Sequence, residues 1–190
     1  MNGPADTASP APVLIFTWGN PSRGDDALGP VLYDLLEDYQ RKTGDLDDVE
    51  LLTDFQLQIE HAVDLEQREY VLFVDAGTSC TEPFEIHELQ AERDDSFTTH
   101  AMSPASVLAV YKQVNHREPP PAYLLTIRAY EFGLGREMTG QAKVNLEQVY
   151  RYVLTKPWQR AATEHPRLAS CGQPAVKFNQ PFSEVGKHQG

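Results

Sequence analysis

The sequence predicts an α/β fold: a three-layer sandwich with a mostly parallel twisted sheet, one antiparallel edge strand, and helices on both faces. Three observations predict it. Segments of strand and helix character follow one another in the order β-α-β-α-β-β-α-β-α, and such alternation folds into a parallel sheet covered on both faces through right-handed crossovers. The run Tyr70-Val-Leu-Phe-Val74 is continuously apolar, as a strand covered on both faces should be. Finally, Trp18 to Pro30 reads as a strand-to-helix turn ending in two adjacent carboxylates, Asp25 and Asp26. Open parallel sheets place their chemistry at such turns, at the carboxyl ends of the strands.

The elements follow in order. Val13 to Trp18 is the first strand, and Leu28, Val31, Leu32, Leu35, Leu36 and Tyr39 recur at helical spacing after the turn. Pro30 falls in the first turn of that helix, and Gly44 suits the left-handed position that ends it. Val49 to Thr53 is a second strand ending at Asp54, and Leu57 to Glu66 has the pattern of a short helix. The third strand, Tyr70 to Val74, ends at Asp75. Phe84 to Leu89 alternates like an edge strand with one wet face. A polar loop from Gln90 to Thr99 leads to His100, and Ser103-Pro104 caps and starts the next helix. Ala122 to Ile127 is the last strand. A glycine-containing loop from Tyr130 to Met138 follows, and Thr139 caps a final helix that ends at Lys156-Pro157. Residues 1–11 read as a disordered arm, 12–156 as a single α/β domain, and 157–190 as an irregular tail.

Composition bounds the function. The chain has 190 residues and a formal net charge of −12, which disfavours nucleic acid and anionic membrane surfaces as partners. No apolar run is long enough for a membrane span. Cys80 and Cys171 stand far apart with no C-x-x-C, so neither a zinc ribbon nor a dithiol motif is present, and a cytoplasmic protein with reduced thiols is expected. Gly19, Gly24 and Gly29 follow a spacing of five, which is neither a dinucleotide fingerprint nor a P-loop. Asp25 and Asp26 at the helix start would repel a phosphate and suit a cation.

Three polar side chains converge by topology. Asp26 follows the first strand, Asp75 ends the third, and His100 precedes the Ser103 helix. Two carboxylates and one imidazole suit a borderline divalent ion while leaving positions open for substrate or water. Taken singly, each has a plainer reading: Asp26 as a helix cap, Asp75 as a turn residue bonded to nearby amides, His100 as a loop histidine. His61 and His87 lie on expected elements and read as solvent-facing. Cys80 reads as a loop thiol, and no G-x-S-x-G elbow is present.

Gly19-Asn20, then Asp25-Asp26 and Gly29, Val74-Asp75-Ala76, His100 with Ser103, and the late block Gly133 to Thr139 together resemble the hydrogenase maturation endopeptidases. These trim the C-terminus of the large subunit of nickel–iron hydrogenases. The resemblance runs from about Val13 to Leu154. It implies the sandwich fold and a catalytic, metal-contacting set of Asp26, Asp75 and His100. It also implies substrate contacts at Gly19, Asn20, Asp25, Asp54 and Gln56. The implied metal is nickel, presented by the substrate, with other divalent metals able to substitute. The implied partner is the large-subunit precursor, with no nucleic acid and no membrane. Asp26 stands where the family often has Glu, and Ala27 where Gly is frequent. The same three residues would also serve a non-catalytic metal-recognising accessory protein or chaperone of hydrogenase assembly.

Overall fold

A computed structural model describes residues 9–92 and 102–161. His100, most of the polar loop ahead of it, the first eight residues of the arm and the tail beyond 161 lie outside the described residues. The strands are β1 (Val13–Trp18), β2 (Val49–Asp54), β3 (Tyr70–Gly77), β4 (Phe84–Glu88) and β5 (Ala122–Arg128). The helices are α1 (Leu28–Thr43), α2 (Pro104–Asn115), α3 (Gly140–Leu154) and α4 (Pro157–Ala161), with 3-10 turns at Gly24–Ala27 and Ile59–Leu65. The five strands lie in the order β2-β1-β3-β5-β4. All neighbours run parallel except β4, which pairs antiparallel with β5 at the edge. The expected α/β sandwich is therefore the observed one.

Side-chain alternation splits the core between the two faces of the sheet. Val13, Ile15, Leu72, Val74, Leu125 and Ile127 project to one face, where α1 contributes Leu28, Leu32 and Leu36, and α3 contributes Leu146, Val149 and Val153. Leu14, Phe16, Val71 and Phe73 project to the other, under Val107, Leu108 and Tyr111 of α2 and under Leu57, Ala62 and Leu65. The helix ends follow the expected chemistry. Gly44 closes α1 in the left-handed region at φ 68°, and the Ser103 and Thr139 hydroxyls accept the Ser106 and Ala142 amides at the starts of α2 and α3. No helix of the described residues is long and apolar enough to cross a membrane.

Three local differences from expectation have physical causes. β3 continues past Val74 to Gly77, because β5 goes on pairing with it: Asp75 faces Thr126 and Gly77 faces Arg128. The short helix expected after β2 is present but is of 3-10 type and begins at Ile59 rather than Leu57. The irregular tail expected from residue 157 instead opens as α4. Trp158 accounts for this. It is 5 % exposed, its ring lies 6.3 Å from that of Tyr70, and Nε1 donates to Asp48 Oδ2 at 3.0 Å. Trp158→Ala is expected to cost about 3 kcal/mol in denaturant unfolding, and a loss below about 1 kcal/mol would make this contact peripheral.

Candidate active site

The strand register brings the carboxyl ends of β2, β1 and β3 to one level. Trp18 pairs with Asp54, and Thr17 pairs with Val74, so Asp75 stands one step on, beside Trp18. Asp54, Trp18 and Asp75 continue the alternating rows of Leu52, Phe16 and Phe73, which pack on the α2 face. They therefore project toward that face.

The turn after β1 is built around Asp25. Its side chain is fully buried: Oδ2 accepts from the Tyr130 amide at 2.8 Å, the Glu131 amide at 3.1 Å and the Thr139 hydroxyl at 3.0 Å, while Oδ1 accepts from the Thr139 amide at 2.7 Å. The Asp25 amide in turn donates to Glu131 O at 2.7 Å, and the Gly24 amide to Arg136 O at 3.1 Å. Gly24 sits at φ +59°, and a Cβ there would meet Glu131 O at 2.5 Å, so a side chain would part the two loops. Asp25 was expected to touch substrate. Its burial and saturated oxygens correct that: it fastens the first turn to the loop between β5 and α3.

Asp26, one residue further along the 3-10 turn, comes near Asp75 of β3. Burial is the main cause raising the Asp75 carboxyl to about 6, and the negative charge of Asp26 raises it further, against a lowering hydrogen bond from the Ala76 amide at 2.8 Å. Gly19 lets the turn fold closely onto Asp26: at φ +144°, a Cβ on it would lie 2.0 Å from Asp26 O. Asn20 is engaged within the turn, its Oδ1 accepting from the Ser22 amide at 2.9 Å. Gln56 is exposed just beyond Asp54. Among the described residues no three His, Cys, Asp or Glu side chains converge as a metal site. The third expected ligand, His100, lies outside them, and the loop that carries it ends at Met102, whose amide donates to Leu57 O at 3.3 Å.

His61 was expected to face solvent and does not. Its side chain is 12 % exposed and lies over Phe16 with centroids 4.7 Å apart; Nε2 is 3.3 Å from Asp54 Oδ2. The only sequence signal was a histidine three residues after Gln58 at the start of a turn. His87 is exposed as expected. Burial pushes the Cys80 thiol above its ordinary value, and its Sγ donates to Gly77 O at 3.5 Å, so it is no ready thiolate. A cavity of about 730 Å³ opens at the opposite, amino ends of the strands, lined by Tyr70, Tyr123, Trp158 and Pro119–Pro121. It is remote from the carboxylate pair, so the open rim at the carboxyl ends, with its displaced pKa, is the better candidate for chemistry.

No protein-family model and no curated protein matches this sequence. Solved structures do match. The NiFe hydrogenase maturation protease HycI of Thermococcus kodakarensis KOD1 superposes with a TM-score of 0.59 at 20% identity, over 76% of this chain and 91% of that one. The hydrogenase maturating endopeptidase HybD of E. coli gives 0.58 at 20% identity, over 78% and 93%. The endopeptidase HycI of Escherichia coli gives 0.54 at 22% identity, over 77% and 90%. The chain therefore has the fold of these proteins across nearly their whole length.

Two outcomes follow from the contrast between Asp25 and Asp75. Asp25→Asn places an amide group among four donors and should cost about 3 kcal/mol or more, read by denaturant unfolding. Asp75→Asn should do the reverse. A carboxyl whose pKa is higher folded than unfolded loses its proton at a cost to stability as pH rises from about 4 to about 6, and the cost persists above that range. The variant should therefore be more stable than the parent by about 1–3 kcal/mol near neutral pH, with the gain gone below about pH 4. A gain independent of pH would assign it to packing instead.

Proposed function

We propose that this chain is a cytoplasmic, substrate-specific endopeptidase that removes the C-terminal extension of a nickel-loaded nickel–iron hydrogenase large-subunit precursor. The observation that carries this is the approach of Asp26 to Asp75 at the carboxyl ends of β1 and β3, in a fold matched nearly end to end by hydrogenase maturation endopeptidases. Nickel enters as part of the substrate. Asp26 and Asp75, joined by His100 from the loop before α2, dock on it. A divalent ion at that point polarises a nearby carbonyl or water. Asp75, titrating near 6, is ionised at neutral pH and suited to accept a proton from the attacking water. Gly19, Asn20, Asp54 and Gln56 form the rim along which the extension lies. Asp25 acts behind them, holding the turn.

The test is the intact mass of a nickel-loaded candidate precursor before and after incubation with the protein. Loss of one discrete C-terminal peptide, absent with nickel-free precursor and absent with His100→Ala, is the expected result. Normal processing by His100→Ala would remove His100 from the site. An unchanged mass with a stable complex would replace the protease by a metal-recognising accessory protein.

A further inference from the structure

We propose that His61 is a positioning residue for this site: it clamps the Asp54 carboxylate and, through Asp54, the Gly19 turn that abuts Asp26. The inference deepens the endopeptidase reading and rests on it for its kinetic arm. Every feature of the imidazole is used. Nδ1 accepts the Gln58 amide at 2.9 Å, so Nδ1 carries the lone pair and the ring proton belongs to Nε2. Nε2 faces Asp54 Oδ2 at 3.3 Å, and the ring packs at a tilt of 53° against Phe16, a core residue of β1. Asp64 lies on the same turn.

Asp54 passes the constraint on. Its Oδ1 accepts from the Phe55 amide at 2.5 Å, and its backbone carbonyl accepts from the Gly19 amide at 3.1 Å. Gly19 stands so tightly against Asp26 that no side chain fits between them. The route is one close polar contact, one backbone hydrogen bond and one van der Waals contact long. The same segment takes the Met102 amide at Leu57 O, so it also anchors the end of the loop that bears His100. A site whose two flanking strands end in loops needs such a brace, because an error of about 1 Å in a reacting group costs about 10²-fold in rate.

The competing role is a plain cap of the 3-10 turn, in which Gln58 and His61 satisfy each other. The two roles use different ring nitrogens and can be separated. In His61→Asn the side-chain oxygen takes the place of Nδ1 and keeps the cap, but nothing reaches Asp54. In His61→Gln the amide nitrogen takes the place of Nε2 and still reaches Asp54. With nickel-loaded precursor, His61→Asn should lower kcat/KM by about 10- to 100-fold, mainly through kcat. It should keep the parent's melting temperature. His61→Gln should restore most of the rate. Rates that follow the folded fraction in both variants would reduce His61 to a cap and overturn the proposal.

Two measurements need no substrate. Nitrogen-15 spectra of the imidazole should show the Nε2-protonated tautomer. Amide exchange at Gly19 and Phe55 should quicken in His61→Asn and not in His61→Gln. An Nδ1-protonated or averaging ring, or unchanged exchange, would overturn the clamp. If the parent protein cuts no precursor, the endopeptidase reading fails, and these two measurements still decide the role of His61.

Discussion

The buried carboxylate of Asp25 is the constraint on which the rest of the site depends. A charged group out of contact with water is tolerated only when its oxygens are fully satisfied. Here four donors do so, three from backbone amides and one from the Thr139 hydroxyl. Those donors belong to the loop after β5 and to the cap of α3, more than a hundred residues away in sequence. Removing the acceptor would leave the amides stranded, so the turn after β1 and the loop after β5 hold or fail together. In a 3-10 turn successive side chains are rotated by about 120°. Fixing Asp25 inward therefore fixes Asp26 in a different direction, and Asp26 comes near Asp75.

Asp25 and Asp75 thus differ in their surroundings. Both oxygens of Asp25 are taken up by donors. Asp75 is less well provided for, since burial and the Asp26 charge both favour its protonated form. The stabilisation comes from elsewhere, from apolar side chains on both faces of the sheet. A site that is unfavourable on its own, on a scaffold that is favourable without it, is how strained or repelling groups persist in folded proteins.

Much of the fold was legible because it depends on local patterns. The continuous apolar run of β3, the helical spacing after Gly29, and the capping residues Gly44, Ser103 and Thr139 each act on near neighbours, and sequence shows near neighbours. That β1 and β3 end side by side, with Asp26 following one and Asp75 at the end of the other, was legible too, because parallel strands deliver their carboxyl ends to one side. The role of Asp25 was not. Its partners are mostly backbone amides, which every residue has, so Asp25 and Asp26 look alike until the chain closes. His61 was missed for the same reason: one of its partners is an amide, and the other, Asp54, is seven positions away at the end of a strand. Trp158 lay beyond Pro157, where helical periodicity stops, and its burial depends on Asp48 and Tyr70. A large aromatic in an otherwise polar stretch, just after a proline able to start a helix, was the available signal.

The proposed function gives the unfavourable carboxylate pair a use. Burial and the Asp26 charge both disfavour the ionised form of Asp75, and a divalent cation relieves both effects at once. The relief is large because the surroundings are poorly solvated; a fully exposed pair would gain much less. If the cation arrives on the substrate, a precursor carrying metal gains this energy and an otherwise identical empty precursor does not. Selectivity for the loaded form then needs no separate sensor. It follows from a site left unsatisfied until the correct substrate completes it, which is differential binding expressed as charge. Such a site works only if its carboxylates cannot relax away from each other in the meantime. That requirement assigns a purpose to the rigid parts around it: Asp25 locked behind the first turn, Gly19 pressed on Asp26, and Asp54 held at the end of β2.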